Sequence, residues 1–230
     1  MYNIIVTPIW ISIKTALLAT IITFFIGIYA AIFVIRLKRY KGLWDGLFTL
    51  PMVLPPTVVG FFLLLFLGKN SFMGKIFAVF DYNFIFSWGA TVVSAVVVSF
   101  PLMYRTARGA FEQLDQNIIS AARTLGISEW RIFWQVMLPN CFYGVLAGVV
   151  LSFTRALGEF GATIMVAGNI PGKTQTISTA IYAAVQAGDY ELAYKWVGVV
   201  VLVSFAVILM LNSWTNRQSK KPVYLQRKAG

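Results

Sequence analysis

Arg155 and Glu159 are the residues most able to do chemistry in a setting that otherwise offers none. They stand one helical turn apart within RALGEFGATIMV, a run that holds no other charge. An ionisable side chain in so apolar a stretch marks a substrate or ion route by default. A guanidinium there can guide an anion, with the carboxylate as its latch, in a segment that Gly158 and Gly161 allow to bend. The competing reading is structural, because an i,i+4 pair also neutralises itself. Other reactive groups are scarce. The chain has no histidine, and its 8 Asp and Glu are scattered, so neither a metal centre nor a catalytic cluster is expected. The single cysteine, Cys141, cannot form an intramolecular disulfide and reads as a small core residue.

GNIPGKT, from Gly168 to Thr174, superficially suggests a phosphate-binding loop. Such a loop needs four residues between its first glycine and Gly-Lys, enough backbone amides to wrap the phosphates. Only Asn169, Ile170 and Pro171 intervene here, and Pro171 has no N–H. Nucleotide binding by this chain is therefore not expected, and no cofactor of its own is implied.

Pro51, Pro55 and Pro56 crowd into one apolar segment and free backbone carbonyls and amides from helical pairing. Non-helical backbone at membrane depth is tolerated only inside protein or against a water-filled cavity. Thr57 and Gly60, just beyond, are candidates for lining such a route together with Pro55 and Pro56. A kinked structural helix buried in a bundle fits the same residues.

The elements that must position these residues follow from composition. Of 230 residues, 59% are hydrophobic and 12% charged. A soluble domain carries roughly 25% charge. Apolar runs of about 20 residues, enough to cross about 30 Å of hydrocarbon, recur along the chain. The fold class is all-α, a polytopic helical membrane protein of about five spans: 8–35, 47–67, 84–104, 140–164 and 194–214. No basic region precedes the first run, so it does not read as a cleavable signal peptide. Lys14 lies near the outer end of that run and is expected to snorkel to the headgroups.

The formal charge of +11 invites a nucleic-acid reading, but its placement excludes one. The basic residues flank the spans. Arg36, Lys38, Arg39 and Lys41 follow the first, Arg105, Arg108, Arg123 and Arg131 the third, and Arg217, Lys220, Lys221, Arg227 and Lys228 the fifth. Only Lys69, Lys75, Lys173 and Lys195 follow the second and fourth. The positive-inside bias then puts the N-terminus outside and the C-terminus in the cytoplasm, with anionic lipid against the basic flanks.

The same bias places the polar stretch 119–139, ISAARTLGISEWRIFWQVMLP, in the cytoplasm. Asp115 or Asn117 can cap a short helix there, and Gly126 can end it in a left-handed conformation. Ile118, Ile119, Ala122 and Leu125 share one face of that helix. Ser128 can cap a second helix with Glu129 in its first turn and Trp130, Phe133, Trp134 and Met137 available for packing. Pro139 suits the first turn of the fourth span. Two helices meeting at a glycine make a compact knob. The alternative is an amphipathic pair that merely lies on the membrane.

The order Ala121-Ala122, Gly126, Val136, Leu138-Pro139 resembles the EAA loop of bacterial ABC importer permeases. PMVLPPTVVGFFLLLFLGKNSFMGK, SFPLMYRTARGAFE and RALGEFGATIMVAGNIPGKTQTISTAIY are similar to segments of the molybdate, tungstate and sulfate branch of that family. The resemblance covers nearly the whole chain, and the short length favours the molybdate type over the longer sulfate type. It implies a single type I ABC importer transmembrane domain over 1–230, with a coupling loop at about 112–139. It further implies a homodimer with its pathway on the two-fold axis, two ATPase subunits that use the ATP, and an extracytoplasmic oxyanion-binding protein.

In the family the loop docks into the ATPase, which assigns that contact to Ser120, Ala121, Ala122, Arg123, Gly126, Glu129, Leu138 and Pro139. The family often has Glu where this chain has Ser120, so Arg123 or Glu129 is the substitute for that polar contact. The pathway is assigned to Pro55, Pro56, Thr57, Gly60, Arg155, Glu159 and Gly161. In the outer segment 166–193, Ile177, Ile181 and Val185 recur at helical spacing and suggest a short helix against the bundle. Asn169, Lys173, Thr174 and Gln175 then face the binding protein, unless the segment is simply a solvated loop. The rival classes are an ATPase-independent ion channel, for which no coupling knob is needed, and a membrane enzyme, for which no catalytic cluster is visible.

Overall fold

A computed structural model describes residues 2–79 and 83–219. Lys220, Lys221, Arg227 and Lys228, part of the basic cluster used to orient the chain, lie outside the described residues. The described residues form α-helices with one π-helical stretch: α1 (Tyr2–Arg36), α2 (Lys41–Val53), α3 (Pro56–Leu67), α4 (Phe72–Val79), α5 (Trp88–Glu112), α6 (Gln116–Thr124), α7 (Glu129–Arg131), a π-helix (Ile132–Met137), α8 (Leu138–Asn140), α9 (Phe142–Leu157), α10 (Gly161–Val166), α11 (Ile177–Gln186) and α12 (Tyr190–Ser219).

Among the described residues, three helices are unbroken and apolar enough to cross a membrane, those of α1, α5 and α12. The other two expected spans are bent. α2 and α3 meet at 109°, and the run Glu129–Asn140 meets α9 at 78°. The second span therefore starts at Lys41 rather than at residue 47 and breaks at Leu54 and Pro55, whose backbones are extended. The fourth does not run through from residue 140 to 164. It begins at Phe142, ends at Leu157, and resumes only as the short α10. The third span is displaced toward its C-terminal end. Phe86 adopts φ 60, and Ser87 caps the helix by accepting from the Ala90 amide.

The core is a three-helix packing of α1, α5 and α9. Lipid tails are as apolar as leucine, so helices associate through close packing of small residues rather than through expulsion of water. Ala16, Ala19, Ala95 and Ala156 form one such contact. At another, a Cβ on Gly27 would lie 2.8 Å from Met103 Cγ, and one on Gly148 3.1 Å from Met103 Sδ. Buried hydroxyls close their hydrogen bonds within or between these helices. Ser99 Oγ donates to the Ala95 carbonyl at 2.6 Å, and Trp88 Nε1 donates to Thr15 Oγ1 at 2.9 Å. Outside the core, Trp10, Leu17, Ile21, Phe25 and Tyr29 form an exposed stripe along α1, a surface suited to lipid or another membrane helix.

Candidate functional site

The knob forms, and local chemistry explains most of it. The Asp115 carboxylate accepts from the Asn117 amide at 2.9 Å, so Asp115 rather than Asn117 caps α6. At the other end Gly126 has φ 72. The Gly126 amide donates to the Arg123 carbonyl at 2.9 Å and the Ile127 amide to the Ala122 carbonyl at 3.2 Å. That pair of bonds is the Schellman closure, and Ile127 adds its apolar contact by packing on the cluster of Ile119, Ala122 and Ile132.

Three expectations for the knob need correction. Ile118 and Leu125 do not join the buried face; Leu125 is 77% exposed, at the tip beside Gly126. Ser128 has the extended backbone of a cap, but its hydroxyl makes no capping bond. Pro139 belongs to the knob's second half, because the chain turns only after it, at Cys141. Cys141 is buried as a core residue, and its thiol donates to the Ala110 carbonyl at 3.2 Å. Within the second half, the π-helix carries Ile132 and Phe133 inward while Trp130 and Trp134 stay exposed as an edge-on pair.

Ser120 and Ala121 are exposed on the knob, as is Pro139, while Leu138 is half-buried. Arg123 and Glu129 bind each other. Arg123 Nε donates to Glu129 Oε1 at 2.7 Å and Nη2 to Oε2 at 3.2 Å, a fork on a carboxylate. Arg36 Nη2 donates to Glu129 Oε2 as well, at 3.2 Å. The Arg123 hydrogen bond holds the Glu129 carboxyl below the usual carboxylate range, against the opposing effect of burial. The same bond raises Arg123.

The two broken spans meet at their breaks. Pro55 and Pro56 have no N–H, so the carbonyls of Pro51 and Met52 lose their helical donors. The Pro55 carbonyl starts α3 by accepting from the Val58 and Val59 amides at 2.9 and 3.2 Å. A Cβ on Gly161 would stand 2.8 Å from Pro56 Cβ, and one on Gly60 2.9 Å from Ala162 Cα. Gly60 and Gly161 are thus buried packing positions between α3 and α10, whereas Pro55 and Thr57 are exposed and Pro56 is half-buried.

Glu159 sits at the second break with 2% of its side chain exposed, against 32% for Arg155. Arg155 Nη1 reaches Glu159 Oε2 at 2.7 Å, and the Ala162 amide donates to Glu159 Oε1 at 2.8 Å. One carboxylate therefore neutralises the arginine and caps the start of α10. The pairing expected of Arg155 and Glu159 is present, with the arginine as its open end.

In the segment 166–193 the amides of Lys173, Thr174 and Gln175 all turn onto the Ile170 carbonyl, at 3.1, 3.0 and 3.1 Å. Thr174 is fully buried, and its hydroxyl accepts from the Ile170 amide at 3.0 Å. It is a turn-forming residue and presents no surface to a partner. Lys173 is exposed, and Asn169 and Gln175 are half-buried. The expected short helix is α11, but Ile177, Ala180 and Ala184 make its buried face and Val185 is exposed. Lys14 does not simply reach for headgroups; its ammonium lies 4.0 Å over the Trp88 ring.

Residues 6–218 match the family model of the binding-protein-dependent transport system inner membrane component. The chain belongs to this family. Among individual relatives of this permease, it is 42% identical over 208 residues to the putative molybdenum transport system permease protein YvgM of Bacillus subtilis (strain 168), covering 90% of this chain and 92% of the relative. It is 38% identical to the molybdenum transport system permease protein ModB of Escherichia coli (strain K12), covering 95% and 98%. The sulfate transport system permease protein CysT of the same organism is 35% identical, covering 91% of this chain but 77% of CysT. In fold, the permease superposes on a bacterial ABC transporter involved in import of the acidic polysaccharide alginate. There the TM-score is 0.76 at 16% identity, covering 94% of this chain and 80% of that one. The chain is thus a membrane component of a binding-protein-dependent transporter.

Sequence inspection did not anticipate the polar group that ties α2 to α5. Tyr104 Oη donates to Asp45 Oδ1 at 2.9 Å, Arg108 pairs with Asp45, and Arg108 Nε donates to Glu112 Oε1 at 3.0 Å. Its one sequence signal is Asp45, the sole acid in KGLWDGLFTLPMV, a segment mostly apolar after Lys41.

Proposed function

We propose that this permease forms the channel of an ATP-driven importer that moves an oxyanion, molybdate first, into the cytoplasm. The observation carrying this reading is the end-to-end agreement with molybdenum permeases, whereas the sulfate permease extends well beyond the matched region. ATP is hydrolysed by separate subunits, two per homodimer, and a binding protein delivers the anion from outside. A related alginate transporter was crystallised in complex with a ligand-bound periplasmic protein, which supports a partner of that kind.

The N-terminus lies outside and the C-terminus in the cytoplasm, so the knob faces the ATPase. Ser120, Ala121, Ala122, Arg123, Gly126, Glu129, Leu138 and Pro139 form that contact, and the exposed Leu125 at the tip joins them. Pro55, Pro56 and Thr57 line the route, with Gly60 and Gly161 setting the approach of the two breaks. Arg155 offers its open side to the anion while Glu159 holds it in place. Asn169, Lys173 and Gln175 meet the binding protein.

The reconstituted complex provides the test. Molybdate at low concentration should stimulate ATP hydrolysis and be taken up. Stimulation by sulfate and not by molybdate would overturn the substrate assignment and leave the permease architecture standing. Gly126→Asp should abolish coupled uptake while the permease remains inserted; unchanged uptake would remove the knob from the ATPase contact.

A further inference from the structure

The turn between α1 and α2 is held at both ends by carboxylates from the two sides of the knob. On one side Arg36, the last residue of α1, donates to Glu129 within the knob at 3.2 Å. On the other, Lys41, the first residue of α2, donates to Glu112 Oε1 at 2.8 Å. Glu112 ends α5 just before the knob begins at Asp115. The turn itself is tight, with Tyr40 in the left-handed region at φ 60.

Arg108 reinforces the second attachment. Its guanidinium spans Asp45 on α2 and Glu112 on its own helix, and it also donates to the Tyr104 hydroxyl at 3.1 Å. Its side chain is 17% exposed, so this is the most enclosed of the ion pairs outside the spanning breaks. A planar fork on two carboxylates fixes direction as well as distance, which a flexible ammonium does not. Several charges acting as a network also hold where an isolated surface pair contributes little.

These contacts end on a helix that runs into the broken span. α2 leads from Lys41 to Val53, and the chain breaks at Leu54 and Pro55. We infer that Arg36 and Arg108 are positioning residues, Arg108 fastening α2 to the end of α5 and Arg36 fastening the α1–α2 turn to the knob across the Gln113–Leu114 joint, so that displacement of the knob carries α2 and the break at Pro55 with it. Without Arg36 the knob would swing about its own joints at Gln113–Leu114 and Cys141 and leave α2 behind, and without Arg108 the turn that Arg36 holds would no longer be seated on α5. The inference rests on the knob being the ATPase contact.

The test uses the full complex of permease, ATPase and binding protein in proteoliposomes, with molybdate as the probe and uptake and ATP hydrolysis measured together. Arg108→Met and, separately, Arg36→Gln should lower uptake per ATP by about fivefold while hydrolysis continues and the ATPase still copurifies. Arg108→Lys, which keeps the charge but not the fork, should fall between Arg108→Met and the native chain. If uptake and hydrolysis drop in equal proportion, or neither changes, the inference is overturned. Arg36 is exposed, so its variant reads the same quantity even where Arg108→Met fails to assemble. Gly126→Asp separates the two levels of the reading. If it leaves copurification and uptake intact, the ATPase contact itself is misassigned. If it disrupts them while both arginine variants keep native uptake per ATP, only the fastening role fails.

Discussion

Gly161 packs its Cα face against Pro56, so closely that a methyl group on the glycine would stand 2.8 Å from the proline Cβ. The two interrupted spans are thereby locked together at their interruptions. Gly60 does the same one turn further along α3, where the obstructing atoms include the Ala162 backbone.

Alanine at Gly60 is therefore expected to destabilise the permease by about 1–3 kcal/mol, the usual cost of overpacking. Gly161→Ala should cost less, since only the Pro56 Cβ crowds it at 2.8 Å while its next neighbours stand at 3.4 and 3.5 Å, whereas three atoms lie within 3.1 Å at Gly60. Thermal unfolding in detergent checks both. A Gly60→Ala variant as stable as the native chain would contradict the close approach of α3 and α10.

At Gly126 nothing lies within 4 Å of an added Cβ, so only backbone conformation resists substitution. Gly126→Ala should cost about 1–2 kcal/mol through its left-handed φ. Gly126→Asn, which tolerates that region, should cost less. ATPase copurification in the two variants should follow the same order, alanine weaker than asparagine.

Removing one partner of the Arg155–Glu159 pair should cost more than replacing both. Glu159→Ala leaves Arg155, a third exposed, without its counter-charge and orphans the buried Ala162 amide, for a loss of about 1–3 kcal/mol. Replacing both residues, as Arg155→Met with Glu159→Gln, should restore much of the stability but not uptake. Recovery of uptake in the double variant would assign the pair a purely structural role.

The Glu129 clasp carries a pH signature of known sign. Its carboxyl is held below the usual range, first by the Arg123 hydrogen bond, so the contribution is present above an ordinary unfolded value of about 4.3 and is lost as pH falls through the lower folded one. Native and Glu129→Gln permease should therefore keep a constant difference in melting temperature from neutral pH down to about 5 and converge only as the pH falls below the ordinary carboxylate range. About half of each side chain is exposed, so solvent screening should keep the difference small.

The legible parts of this chain were those governed by near neighbours in sequence. Asp115 and Gly126 bound α6 through their own backbone chemistry, and the prolines at 55 and 56 break the second span wherever it is placed. What escaped depends on distant partners. Ile118 and Leu125 share a helical face with Ile119 and Ala122, yet the packing surface offered by Ile132 covers only the latter two. Gly158 and Gly161 suggested bending, but a break requires Glu159 to satisfy the freed Ala162 amide, which no spacing rule announces. The pairing of Asp45 with Arg108 joins residues 63 positions apart, and the convergence of the two breaks depends on the tertiary crossing itself.

Cys141 gives the molecule an unplanned experimental handle. It is the chain's one thiol, closed off at the corner where the knob turns into the fourth span. A maleimide or methanethiosulfonate reagent added to the native sequence can label only that corner, and only while it is open. The rate of modification in the nucleotide-free and ATP-bound complexes would thus time the flexing of the joint without a single engineered residue.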